Sequence, residues 1–155
     1  MASTVTISDD GAYVRAVVEL PGCPQAQALA AFTDADVLER WWGGRLRATL
    51  EVGGEYCIEF PDVGRTMTGM VAAYEPPSDL AFTWEWDDAR DVRRPPVHVA
   101  VQVIEGSPTV VSILHGPHPD DDDGRTERAG HRSGWAHFLP RLETLMAPGQ
   151  SASAP

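Results

Sequence analysis

The chain contains no lysine. All 12 basic residues are arginines, set against 23 acidic ones, and the formal net charge is −11. A surface this acidic repels phosphate backbones, and no arginine cluster is larger than Arg93–Arg94, so nucleic acid is not an expected partner. Long apolar runs are also missing, which excludes a membrane span. Met1 to Asp10 lacks the basic-then-apolar pattern of a secretory leader, and the expected location is cytoplasmic. Cysteine is scarce. Cys23 and Cys57 lie far apart and neither belongs to a CxxC pair, so no thiol-based zinc site is supported. Two buried or free thiols is the simpler reading, and a disulfide the other. There is no GxSxG elbow, no P-loop and no GxGxxG fingerprint. No cofactor and no metal are expected.

What is present is an ordinary globular composition, 43% hydrophobic over 155 residues, enough for one domain with a sizeable core. The strongest pattern is the last. From Arg125 to Met146, apolar residues fall at Trp135, Phe138, Leu139, Leu142, Leu145 and Met146, the spacing of a helix with one buried face. At 100° per residue Arg128 and His131 share the face of Trp135, which points polar groups inward near the helix start. Pro140 lies opposite, where it costs one backbone bond and bends the helix around a core.

Before this helix the chain reads as short alternating segments. Residues 1–10 are polar and read as a flexible N-terminus, followed by one domain over 11–147 and a small, polar, Pro/Gly-rich tail over 148–155 that reads as disordered. Tyr13 to Leu20 is strand one. Pro24 suits the first turn of a helix over Gln25 to Phe32, and Thr33-x-x-Asp36 resembles the cap of a second over Ala35 to Trp42, ended by Gly43-Gly44. Six more strands follow: Arg45–Glu51, Glu55–Phe60, Arg65–Tyr74, Leu80–Trp86, Val97–Ile104 and Thr109–His115. Gly69 inside the fourth strand implies a bulge or a close backbone approach. The first and seventh strands are candidates to pair. The expectation is an α+β fold, with a curved antiparallel sheet of about seven strands wrapped round the C-terminal helix and two short helices after strand one.

Several stretches carry a resemblance. Phe32-Thr33-Asp34 precedes Leu38-Glu39-Arg40-Trp41-Trp42-Gly43. Gly53-Gly54-Glu55-Tyr56 follows, then Gly69 leads to Glu75-Pro76-Pro77-Ser78-Asp79-Leu80 and Phe82-Thr83-Trp84. His115 closes the last strand, and Gly134-Trp135 stands in the final helix. In this order they resemble the helix-grip superfamily of START-like and Bet v 1-like (SRPBCC) domains, and within it the AHSA1-like family named after the activator of the Hsp90 ATPase. Pro140 and the acidic run Asp120 to Asp123 depart from the family pattern. The resemblance implies the helix-grip fold but not one activity. It allows a binder of a small hydrophobic molecule, a cyclase, dehydratase or hydrolase acting on a polyketide-like substrate, or an Hsp90 co-chaperone-like stress-response protein.

Strand parity sends Tyr56, Ile58, Phe60, Phe82, Trp84, Trp86, Val99, Val101, Ile113 and His115 to the concave side, opposite Arg128, His131 and Trp135 of the helix. These residues either line an apolar cavity or fill it as core. His131 offers a ligand hydrogen bond or a proton shuttle, Arg128 a bidentate grip on a carboxylate, and Tyr56 a hydroxyl anchor. Each also has a structural reading: a salt bridge or cap at the helix start, or a hydroxyl reaching solvent. His115, His118 and Asp120 to Asp123 hold metal-ligating types, but without a fixed framework they read as a solvated acidic loop. The paired Trp41 and Trp42 either pack beneath the sheet or form a partner-binding patch. A monomer and an edge-paired homodimer are both compatible with the pattern.

Overall fold

The computed structural model describes residues 3–87 and 96–148. Its elements are β1 (Thr6–Asp9), β2 (Val14–Leu20), α1 (Gln25–Thr33), α2 (Ala35–Trp42), β3 (Arg45–Ala48), β4 (Tyr56–Phe60), β5 (Arg65–Thr68), β6 (Val71–Glu75), β7 (Asp79–Trp86), β8 (Val97–Ile104), β9 (Thr109–Gly116) and α3 (Asp122–Leu145). All strand pairs are antiparallel and run in the order β1-β2-β9-β8-β7-β5-β4-β3, with β6 also on β7. The expected pairing of first and last strands is present as β2 against β9, with Val14 opposite His115. The α+β helix-grip architecture holds.

Alternation decides which side chains fill the interior. Val97, Val99, Val101 and Val103 of β8 are buried while His98 and Gln102 face water. Leu80, Phe82 and Trp84 of β7 are buried by the same parity. The two short helices close one end. Asp34, not Thr33, caps α2, its carboxylate accepting from the amides of Asp36 and Val37. Gly43, at φ 75°, ends the helix in the left-handed region.

Three sequence expectations are corrected. The strand read over Arg65 to Tyr74 is two strands, broken at Gly69-Met70. A Cβ on Gly69 would come 2.0 Å from the Thr83 carbonyl oxygen, so β7 crosses the break at a distance only glycine permits. Residues 6–9, read as loose, form the edge strand β1. A polar strand needs no apolar stripe when its backbone pairs with β2, and Asp9 is held by Arg132 at 2.8 Å. This raises the strand number from about seven to nine. Finally, Asp120 to Asp123 is not a free loop. Asp121 caps α3 by accepting from the Gly124 amide, and Asp122 and Asp123 occupy its first turn, where the helix dipole favours negative charge. The expected tail beyond residue 148 and most of the charged loop after Asp87 lie outside the described residues. Among those described, no helix is long and apolar enough to cross a membrane.

Candidate functional site

The ends of β4, β7 and β9 and the middle of α3 converge on a pocket of about 260 Å³. Phe60 supplies one wall from β4, and Trp84 and Trp86 another from β7. Trp42 and Gly43 close it from the end of α2. Helix α3 contributes Gly130, His131, Gly134, Trp135 and Phe138. The two glycines leave the helix bare here, since a Cβ built on either meets nothing within 4 Å. The wall is an aromatic network: Trp42 stands 5.8 Å from Trp84 and 5.1 Å from Trp135, and Trp84 stands 5.3 Å from Trp86. At the rim the Arg65 guanidinium lies 4.1 Å over the Trp86 ring.

The polar part of the site is three histidines. His115 ends β9, His118 follows it in the connection to α3, and His131 comes from α3; all are buried. His118 Nδ1 lies 2.8 Å from the Ala12 carbonyl, and its Nε2 lies 2.8 Å from His131 Nδ1. The Trp135 indole donates to His115 Nδ1 at 3.0 Å. The His115 and His131 rings stack at 4.1 Å. These contacts order the protons. A carbonyl only accepts, so His118 carries its proton on Nδ1 and presents a bare Nε2. His131 must then donate from Nδ1, which leaves its own Nε2 bare. His115 accepts at Nδ1 and so carries its proton on Nε2.

This order requires neutral rings. Burial is the main force lowering all three pKa values. For His115 the neighbouring His131 and His118 add to it, and for His118 the Arg128 charge does. His131 is pushed down to about 3 by burial, then by His118 and Arg65.

Of the thirteen residues singled out in the sequence, Phe60, Trp84, Trp86, His115, His131 and Trp135 meet at this pocket. Ile58, Phe82, Val99, Val101 and Ile113 are packed in the core away from it. Tyr56, expected as a hydroxyl anchor, does not line this pocket. Its hydroxyl donates to the Phe32 carbonyl at 2.6 Å, as the Trp41 indole does to the Ala31 carbonyl at 2.9 Å. Both cover the carbonyls that the last turn of α1 leaves unpaired. Tyr56→Phe is therefore expected to lower stability by about 1–3 kcal/mol in urea unfolding, and to leave any ligand affinity unchanged. Arg128 is displaced too. It shares a helix face with His131, but its half-buried side chain donates to the Gly11 carbonyl in the β1–β2 turn instead of entering the pocket.

One ring nitrogen from each histidine lies within 4.8 Å of the others, the donor type of an imidazole metal centre. The hydrogen bonds oppose that use. His118 and His131 spend facing nitrogens on each other, and metal at His115 Nε2 would move its proton to Nδ1, against the Trp135 N–H.

The profile of the Activator of Hsp90 ATPase homolog 1-like protein family matches residues 22–147. The chain belongs to this family. No curated protein sequence matches it. Among solved structures it is similar to DynU16, a protein of the dynemicin biosynthetic locus, with 26% identity, a TM-score of 0.73 and 92% of this chain covered. It spans about half, 49%, of that protein's length. CalU16 from Micromonospora echinospora shares the fold at 18% identity and TM-score 0.70, over 98% of this chain and 90% of that one. So does an Hsp90 activator from Plasmodium falciparum, at 23% identity and TM-score 0.68, over 87% and 96%. In this member of the activator-like family, sequence reading did not count Trp42, Gly43, Gly130, Gly134 and Phe138 as pocket residues, and the buried polar residue that it did not place at the site is His118. It sits in a connection without periodicity, where no pattern predicts burial. The signal was its spacing from His115, set aside because the acidic run beside it suggested solvent.

Proposed function

We propose that the protein binds a small, flat, hydrophobic molecule between the sheet and α3. The observation that carries this reading is the pocket beside Trp84, Trp86 and Trp135, whose wall is aromatic and whose helix side is kept open by Gly130 and Gly134. Concave, mostly apolar space with a few polar groups is the usual form of a ligand site. The similarity to a protein of a biosynthetic locus supports a small-molecule setting. Cytoplasmic residence is part of the proposal and is supported by two buried, free cysteines.

A second reading is an enzyme of cyclase, dehydratase or hydrolase type. Two buried histidines with depressed pKa values line one pocket, and perturbed groups gathered in a cleft mark catalytic sites. An Hsp90-type partner finds less support. Trp41 and Trp42 are buried, so they offer no outer patch.

The test is intrinsic tryptophan fluorescence titrated with fused-ring aromatics and fatty acids. A saturable change is expected with the aromatics, and it should be abolished by Gly134→Leu. That change places a better helix former where a Cβ meets open space, so the fold is kept while the pocket is obstructed. Equal binding by wild type and Gly134→Leu would place the ligand elsewhere.

A further inference from the structure

Among the described residues, three buried side-chain polar atoms have no hydrogen-bond partner: Trp84 Nε1, His115 Nε2 and His131 Nε2. All three belong to residues that line the same pocket. Buried polar groups are nearly always paired, and an unpaired one calls for a reason. Their coincidence at one pocket ties the unmet polarity to whatever the pocket holds.

The proton order gives each atom a sign. Trp84 Nε1 and His115 Nε2 are donors, and His131 Nε2 is an acceptor. The Trp84 ring stands 5.2 Å from His115 and 5.6 Å from His131, and the two imidazoles stack face to face. The complementary ligand therefore presents a carbonyl oxygen, with two lone pairs for two donors, beside an N–H or O–H. We infer that this pocket, read as a ligand site, selects a neutral planar ring system carrying a carbonyl next to a hydrogen-bond donor, such as a cyclic amide or an enolised dicarbonyl. A carboxylate is disfavoured: it brings no proton for the bare His131 nitrogen, and the rings stay uncharged beside it. A metal ion is disfavoured by the Trp135 bond to His115.

The experiment compares three probes of matched shape by tryptophan fluorescence near neutral pH. They are 2-quinolone, which has the adjacent N–H and carbonyl, N-methyl-2-quinolone, which keeps only the carbonyl, and naphthalene, which has neither. The expected result is that 2-quinolone binds at least about tenfold more tightly than its N-methyl derivative, the loss expected when one buried acceptor is left unpaired. In His131→Phe, which keeps a ring but no acceptor, the two quinolones should converge. Equal affinity of all three probes for wild type would overturn the polar assignment and leave the apolar pocket intact. Absence of binding by all three, with no effect of Gly134→Leu, would overturn the ligand-site reading with it. Stoichiometric uptake of zinc ion alone, lost in His118→Ala, would overturn the assignment by giving the trio to a metal. The wild-type comparison decides the question even if His131→Phe does not fold.

Discussion

Acidification is expected to destabilise the protein before its carboxylates titrate. The folded pKa values of His115, His118 and His131 lie below the ordinary value of 6.5, with His131 at about 3. Between those values the unfolded chain binds protons that the folded chain refuses. The stability these histidines contribute is therefore complete above 6.5 and falls as the pH drops toward the folded values. Each excluded proton contributes a slope of about 1.4 kcal/mol per pH unit. His131 alone, over about 1.5 units, gives roughly 2 kcal/mol, a sizeable share of the roughly 5–15 kcal/mol of an ordinary domain, and the buried His115 acts in the same direction. Urea midpoints should be flat at and above neutrality and fall steeply toward pH of about 5. In His131→Phe the slope should be shallower by one histidine. A midpoint indifferent to pH across this interval would show that the rings accept protons in the folded state.

Trp42→Ala is the substitution with the largest expected cost. Trp42 is 3% exposed and touches five aromatic rings: Phe32, Trp41, Phe60, Trp84 and Trp135. It joins α2 to α3 and to the sheet, so none of the three can collapse into its space without leaving another. Removal of a buried tryptophan costs about 3–5 kcal/mol, or a fall in Tm of roughly 6–20 °C for a domain of this size. Trp42→Phe should cost less, since it keeps an edge-on ring. Near-ultraviolet circular dichroism gives an independent reading, because Trp41 and Trp42 stack at 4.9 Å and that coupling disappears in either variant. A loss under about 1 kcal/mol in Trp42→Ala would mean the network repacks freely, in conflict with close packing.

Sequence reading succeeded where one period decides the outcome. The inward set of β8 follows from alternation, and the buried stripe of α3 from its spacing. It failed where a long side chain or a distant backbone intervenes. The helical wheel gives Arg128 the right face, but not the reach that carries its guanidinium to Gly11. Parity gives Tyr56 the right side of β4, but not the open carbonyl at the end of α1 that takes its hydroxyl. β1 was invisible because its stability comes from pairing with β2 and from Arg132, not from its own pattern. Within the site the aromatic wall was legible and the proton order was not, since it depends on His118 and on a main-chain carbonyl in a turn.

That carbonyl has a further consequence. Ala12 and His118 are 106 residues apart in the chain, and their bond sets the tautomer on which His131 depends. The polarity of the site is thus a long-range topological property, closed only when the N-terminal hairpin docks against the end of β9. Such closures carry a high entropic cost and form against the gradient of local structure. A chain with β7, β8 and α3 in place but β1 and β2 undocked would have the aromatic wall without the ordered protons. The ring protons would then have no fixed order, and the distinction between donor and acceptor nitrogens would be lost until the hairpin docked.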